Sequence, residues 1–258
     1  MNGSLRIILL LIFLIFLFLI KIKTKTTSKK HINCNCICNR DNFTIIDLSP
    51  SQQFLQNVPK ILYINLESRK DRKKEFLSNF PNYDSNTNII ERIDAIYEPE
   101  NGAIGCLKSH IKALKYASTL NTPYVLIAED DFYIKDMNYA VNSIKKVFEN
   151  FNNWDVLMLS INLISSEPTD VDGIIRVKSA QTASGYLVKK SYISKILSIY
   201  ERDLDNYNKT QKWSDWYCTD QSWKELQKID LWYSFNPIIA IQRKSYSDIQ
   251  KGVVDYGI

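Results

Sequence analysis

Histidine is nearly absent: the 258 residues contain only two, His31 and His110. A phosphohydrolase built on paired metal ions needs carboxylates and histidines converging on two centres, and here the second kind of ligand is scarce. Also missing is any long basic stripe beyond Arg40. Lys and Arg exceed Asp and Glu by 33 − 28 = 5, but Lys21, Lys23, Lys25, Lys29 and Lys30 cluster behind an N-terminal apolar run. The remaining body is close to neutral. Duplex binding usually needs a basic face or stripe, so this distribution argues against nucleic acid as a partner. No internal repeat is present.

What is present begins with Ile7–Ile20, a run of Ile, Leu and Phe only. It is shorter than the roughly 20 residues that span a bilayer comfortably. No small-residue cleavage site of the Ala-x-Ala kind follows it, which favours a retained signal anchor over a removed signal peptide. The expected organisation is an anchor over residues 1–22, a polar stalk over 23–57 and one globular domain over 58–258. The Lys cluster favours a cytoplasmic C-terminal side by the positive-inside rule, whereas a type II arrangement puts the domain in an ER or Golgi lumen. Both orientations stay open. Cys34, Cys36 and Cys38 alternate in the stalk without the separated second pair of ligands that a zinc site usually has. The sequons at Asn42 and Asn208 lean towards a lumen.

With 45 % hydrophobic and 12 % aromatic residues the body is rich enough for a real core. Lys60–Leu66 is short, β-branched and aromatic, as in a buried strand, and the charged stretch Glu67–Phe80 reads as a helix. Ile89–Ile96 is a second strand. Gly102–Leu120 carries Ile104, Leu107, Ile111 and Leu114 at helical spacing. Pro123–Ala128 is continuously apolar, as expected of a strand buried on both faces. Trp154–Ile161, Ile174–Val177 and Tyr186–Val188 are further strands, Ser191–Tyr200 is helical, and Leu231–Ile241 reads as edge strands interrupted by Pro237. The alternation predicts an α/β fold with a mostly parallel sheet and ligands beyond the carboxyl ends of its strands.

Glu129-Asp130-Asp131 stands where the most apolar strand meets solvent. Like charges so close repel unless a cation neutralises them, and Mg²⁺ or Mn²⁺ is commonly held by one or two carboxylates plus substrate phosphates. A solvated acidic loop is the plain alternative for the triplet alone.

The surrounding order narrows the choice. Tyr63-Ile64-Asn65-Leu66 with Asp71-Arg72, Gly105-Cys106-x-x-Ser109-His110, Ala128-Glu129-Asp130-Asp131, Ser184-Gly185-Tyr186-Leu187 and Thr219-Asp220-Gln221 follow one another across Lys60–Ile249. In this order the chain resembles glycosyltransferase family 25, which holds lipopolysaccharide-type and procollagen-type galactosyltransferases. The resemblance implies a GT-A fold with a Rossmann-like nucleotide-binding sheet. It also implies a UDP-sugar donor, usually UDP-galactose, with Mn²⁺ or Mg²⁺, and a glycan or protein acceptor. The family's Asp-rich motif falls on Glu129, Asp130 and Asp131, with Asp130 and Asp131 facing the metal. Ala128 departs from the larger aliphatic residue expected there. The body is also shorter than the two-domain collagen enzymes, so acceptor identity does not transfer.

Other positions carry their own expectations. Asn65 is placed to bond uracil or ribose, and Arg72 offers a planar fork for phosphate or for a nearby carboxylate. Ser109 and His110 read as donor contacts or as buried structural groups, and Gly185 and Tyr186 are carried over as donor-site residues. Asp220 and Asp215 are the candidates for the base that deprotonates an acceptor in an inverting transfer. They lie in the aromatic stretch Trp213–Trp223, which reads as a sugar-stacking platform or as core. Rival readings are a glucosyl or other hexosyltransferase, and a catalytically silent, membrane-tethered carbohydrate-binding protein.

Overall fold

The computed structural model describes residues 48–247 and 252–255; the apolar run and residues 23–47 of the segment read as stalk lie outside the described residues. Among the described residues no helix is long and apolar enough to cross a membrane. The described chain starts earlier than the sequence implied. Helix α1, Pro50–Asn57, begins on a capping box in which Ser49 and Gln52 satisfy each other's backbone N–H groups, with Pro50 in the first turn. Its Phe54 is fully buried, so residues 50–57 belong to the globular body and not to a stalk.

Strand β1, Ile61–Asn65, is buried at every position because it has helices on both faces. Ile61 and Tyr63 point to the side where Phe54 of α1, Phe76 of α2 (Lys70–Leu77) and Ile144 of α4 (Met137–Asn150) gather. Leu62 and Ile64 point to the other, where Leu107 and Leu114 of α3 (Gly102–Thr119) and Ile196 of α5 (Ile193–Thr210) lie. Alternation along an extended chain thus yields three layers. A buried Leu or Ile contributes roughly 1.5–3 kcal/mol, which is why the continuous apolar runs are the strands that sit centrally.

The main sheet has eight strands in the order β2-β1-β3-β8-β5-β9-β7-β6. Besides β1 these are β2 (Ile90–Asp94), β3 (Tyr124–Glu129), β5 (Val156–Met158), β6 (Asn162–Pro168), β7 (Ile174–Gln181), β8 (Gly185–Lys189) and β9 (Trp232–Phe235). Three pairings are parallel (β1 with β2, β1 with β3, β5 with β9) and four antiparallel. Six strands still run in one direction, and only β7 and β8 oppose them. The mostly parallel sheet therefore holds for strand direction, with β8 inserted as a reversed strand between β3 and β5. One expectation fails: β9 is not an edge strand, since it is buried throughout and lies between β5 and β7. The chain leaves it at Asn236–Pro237, a cis peptide.

Among the described residues four short strands lie outside this sheet, in two pairs. β4 (Phe132–Ile134) pairs with β10 (Ala240–Gln242), and β11 (Ser245–Ser247) with β12 (Gly252–Val254). They bring the C-terminal segment over the end of β3.

Candidate functional site

The ladder of β3 ends where the Glu129 amide donates to the Ser184 carbonyl at 2.8 Å, and the chain turns over Asp130 and Asp131 into β4. Both aspartates fold inward. Asp130 accepts from Asn65 Nδ2 at 2.7 Å and from Arg72 Nη1 at 2.8 Å, one oxygen for each donor. Asp131 Oδ2 accepts from Gln242 Nε2 at 3.1 Å and from the same Arg72 nitrogen at 3.4 Å. Its other oxygen, Oδ1, is buried without a partner, a state that costs about 1–3 kcal/mol for an ordinary polar group. Burial, reinforced by the charge of Glu129, pushes the Asp131 carboxyl up to about 7. Burial also raises Asp130, against the pull of Arg72.

An orphaned, buried carboxylate oxygen next to two further acids fits a hard divalent cation, which takes oxygen ligands and removes the mutual repulsion. Arg72 completes the arrangement: its Nη2 donates to Ser245 Oγ and, at 2.8 Å, to the Tyr246 carbonyl. The arginine thereby ties β11 to the acids. A cavity opens in front of this cluster, lined by Arg69, Arg72 and Arg243 together with Glu129, Asp130 and Asp131. Arg72 is held by the acids and by β11, and the Arg243 guanidinium by Glu75, Ser78 and the Tyr133 ring; the mixed charge of the cavity wall suits a phosphate-bearing ligand that arrives with its metal.

Helix α3 supplies the opposite wall. Asn101 caps it, its side chain accepting from the Ala103 and Ile104 amides at 3.1 and 3.3 Å. Gly105 allows the helix to approach the chain after β2, where an added Cβ would meet the Ile96 carbonyl oxygen at 2.5 Å. One turn on, Ser109 Oγ accepts from the Ile96 amide at 2.8 Å and donates to the Gly105 carbonyl. Ser109 thus fixes the Ile96 loop of the cavity wall. His110 is fully buried, with Nδ1 3.1 Å from Tyr186 Oη and Nε2 3.1 Å from Glu129 Oε1. Cys106 Sγ lies 3.9 Å from the same glutamate oxygen.

A second cavity adjoins the first and shares Cys106, Glu129 and Gln242 with it. Asp220, on the short helix α6 (Thr219–Ser222), lines it with Thr182, Gln181 and Asn162. Burial raises the Asp220 carboxyl, and its Oδ2 accepts from the Thr182 amide at 3.1 Å. Thr182 has φ = 80°, a strained conformation for a β-branched residue and one that tends to occur at functional sites.

The residues anticipated from sequence therefore separate. Glu129, Asp130, Asp131, Arg72, Ser109 and His110 converge on the first cavity, and Asp220 on the second. Asn65 lines neither and instead positions Asp130. Gly185 and Tyr186 are fully buried in β8, Gly185 so tightly that a Cβ would meet the Phe132 ring at 2.2 Å; they line neither cavity. Asp215 lines neither cavity and accepts from Trp213 Nε1 at 3.2 Å. The aromatic stretch splits as well: Trp223 is core, edge-on to Tyr186 and Trp232, while Trp216 is exposed. Sequence reading missed Gln242, Arg243 and Thr182, none of which stands in a motif; only the fold carries them to β3.

No family model matches the chain, and no curated protein matches it. Among solved structures, the chain is similar to a glycosyltransferase involved in glycosylation of the major capsid of PBCV-1, at 12 % identity over 74 % of this chain and 95 % of that one, with a TM-score of 0.42. It is similar to apo UDP-glucose pyrophosphorylase at 7 % identity over 75 % and 80 %, TM-score 0.41. A third is a mannose-1-phosphate geranyltransferase from Thermus thermophilus, at 10 % identity and TM-score 0.38. There the match covers 78 % of this chain and 66 % of the other, just under two thirds of that protein's length. What this chain does is read from its own residues.

Proposed function

We propose that this protein is a GT-A-type glycosyltransferase that moves a hexose, galactose first among the candidates, from a UDP-sugar to an acceptor hydroxyl on a glycan or protein. The observation that carries the reading is the unpartnered Oδ1 of Asp131 inside a buried acidic cluster whose residues line a cavity together with three arginines. Asp131 with Asp130 would hold Mn²⁺ or Mg²⁺, whose chemistry is to neutralise charge developing on a departing diphosphate. Asn65 and Arg72 fix the Asp130 carboxylate, so the acidic pair is preorganised before donor arrives. Arg69 and Arg243 also line this cavity. Asp220 takes the proton from the attacking acceptor hydroxyl, in a second cavity that meets the first at Glu129. Its raised pKa makes it a stronger base when ionised.

The proposed setting is a membrane, with residues 1–22 as a single-pass anchor; fractionation of cells expressing the full chain tests it. The activity is tested by incubating the full chain with labelled UDP-galactose or UDP-glucose and a panel of glycan and hydroxylysine acceptors, with and without Mn²⁺. Metal-dependent transfer supports the reading. Donor hydrolysis alone, or no turnover with any donor, overturns it.

A further inference from the structure

Cys106 and His110 are four residues apart on α3 and so project from the same face, one turn from each other. Glu129, the last residue of β3, reaches that face from the sheet. One ligand atom from each lies within 4.8 Å of the others: the two glutamate contacts are 3.1 Å to His110 Nε2 and 3.9 Å to Cys106 Sγ. Zinc bonds of about 2.0–2.3 Å at tetrahedral angles put ligand atoms roughly 3.3–3.7 Å apart. The observed triangle is within a few tenths of an ångström of that geometry along both measured edges. The histidine is also oriented for the task. Nδ1 sits 3.1 Å from Tyr186 Oη, an outer partner of the kind that fixes a metal-binding imidazole with Nε2 presented to the ion.

We propose that Cys106, His110 and Glu129 form a binding site for a thiophilic divalent cation, of which zinc is the type, with its fourth coordination position open to the two cavities. The ligand set separates this site from the acidic pair. A thiolate and an imidazole select zinc or cobalt, whereas the carboxylate oxygens of Asp130 and Asp131 select magnesium or manganese. Binding replaces the Cys106 thiol proton by the metal and releases that proton to solvent, which relieves the burial and the glutamate charge that hold the thiol protonated. Cys106 and Glu129 line both cavities and His110 the first, so a water or a ligand hydroxyl can complete the tetrahedron. The ion sits at the junction of the two spaces.

The test is titration of the full chain with Co²⁺ in the absence of nucleotide, read by the thiolate-to-cobalt charge-transfer band in the near ultraviolet. To remove the stalk thiols it is done with Cys34→Ser, Cys36→Ser and Cys38→Ser in place, leaving Cys106 and Cys218 of the five cysteines. One equivalent of cobalt is expected to give the band, zinc to displace it, and excess Mg²⁺ to leave it. Cys106→Ser abolishes the band and Asp131→Asn retains it. Tyr186→Phe, which removes only the outer partner of His110, weakens cobalt binding roughly tenfold or more, and this keeps the proposal testable if Cys106→Ser does not fold. A missing band, a band that survives Cys106→Ser, or cobalt affinity lost on Asp131→Asn overturns the assignment. None of these readings depends on transferase activity.

Discussion

Arg72 Nη1 stands 2.8 Å from Asp130 Oδ1, and both side chains are nearly buried, at 13 % and 8 % exposure. Burying a charge pair is costly unless its remaining valences are also satisfied. Here Asn65 takes the second Asp130 oxygen, while Ser245 and the Tyr246 carbonyl take the second guanidinium nitrogen, which leaves only Arg72 Nε of the pair buried without a partner. A lysine has no fork with which to reach acids and carbonyl together. Arg72→Lys is therefore expected to loosen β11 and to weaken UDP binding about tenfold or more, measured by calorimetry and by hydrogen exchange over residues 245–247.

Asp131→Asn is expected to abolish manganese-dependent UDP binding while leaving the thermal midpoint unchanged or raised. The native state already disfavours the charge at this carboxyl, so an amide removes an unfavourable charge and little packing. Loss of cooperative unfolding in this variant would contradict the assignment.

The pH dependence has a definite sign. The Asp131 carboxyl rises from an ordinary 3.8 to about 7 on folding, so between those values the native state binds more proton than the unfolded chain. Stability of the metal-free protein therefore falls as pH rises through that window. Thermal melts at pH 5 and pH 8 should show the lower midpoint at pH 8. The gap should shrink in Asp131→Asn, and Mn²⁺ should offset it in the parent protein.

Asp220→Asn is expected to keep nearly normal UDP affinity and lose roughly 10²-fold or more in turnover, the scale of general-base catalysis. Asp215→Asn, on an exposed turn, should leave turnover unchanged. A reversed ranking in single-turnover kinetics would move the base.

Gly185→Ala places a methyl group 2.2 Å from the Phe132 ring. Overpacking of this kind costs about 1–3 kcal/mol. Denaturant unfolding should show that loss, and Phe132→Leu in the same chain should restore part of it.

The runs that become β1, β3 and α3 were legible because burial on two faces, or on one helical face, leaves an unmistakable apolar pattern. The acidic triplet was legible because carboxylates at the end of such a strand run against that pattern. Helix α1 was missed although Ser49, Pro50 and Gln52 spell out its start, because a short polar stretch between two stronger features reads as linker. The reversal of β8 left no mark: a short apolar strand looks alike whether antiparallel or parallel when both of its faces are covered. The tight packing of Gly185 against Phe132 left no mark either, since a tightly packed glycine and a ligand-contacting one are the same letter in the sequence. The meeting of Cys106 and His110 with Glu129 needed the register of α3 against β3, which no local pattern specifies.

The reversal of β8 also bears on how such a protein can diversify. Because β8 runs against β3, Gly185 pairs with Ala128, and the segment entering β8 emerges at the rim where β3 delivers its carboxylates. The β6–β7 hairpin feeds that segment, and it lies at the far edge of the sheet. The open end of the hairpin, Asn162 paired with Gln181, stands in the wall around Asp220, and exchanging residues there reshapes that wall without shifting the register of β1, β2 or β3. Recognition of one substrate can then drift while the machinery for the other stays fixed.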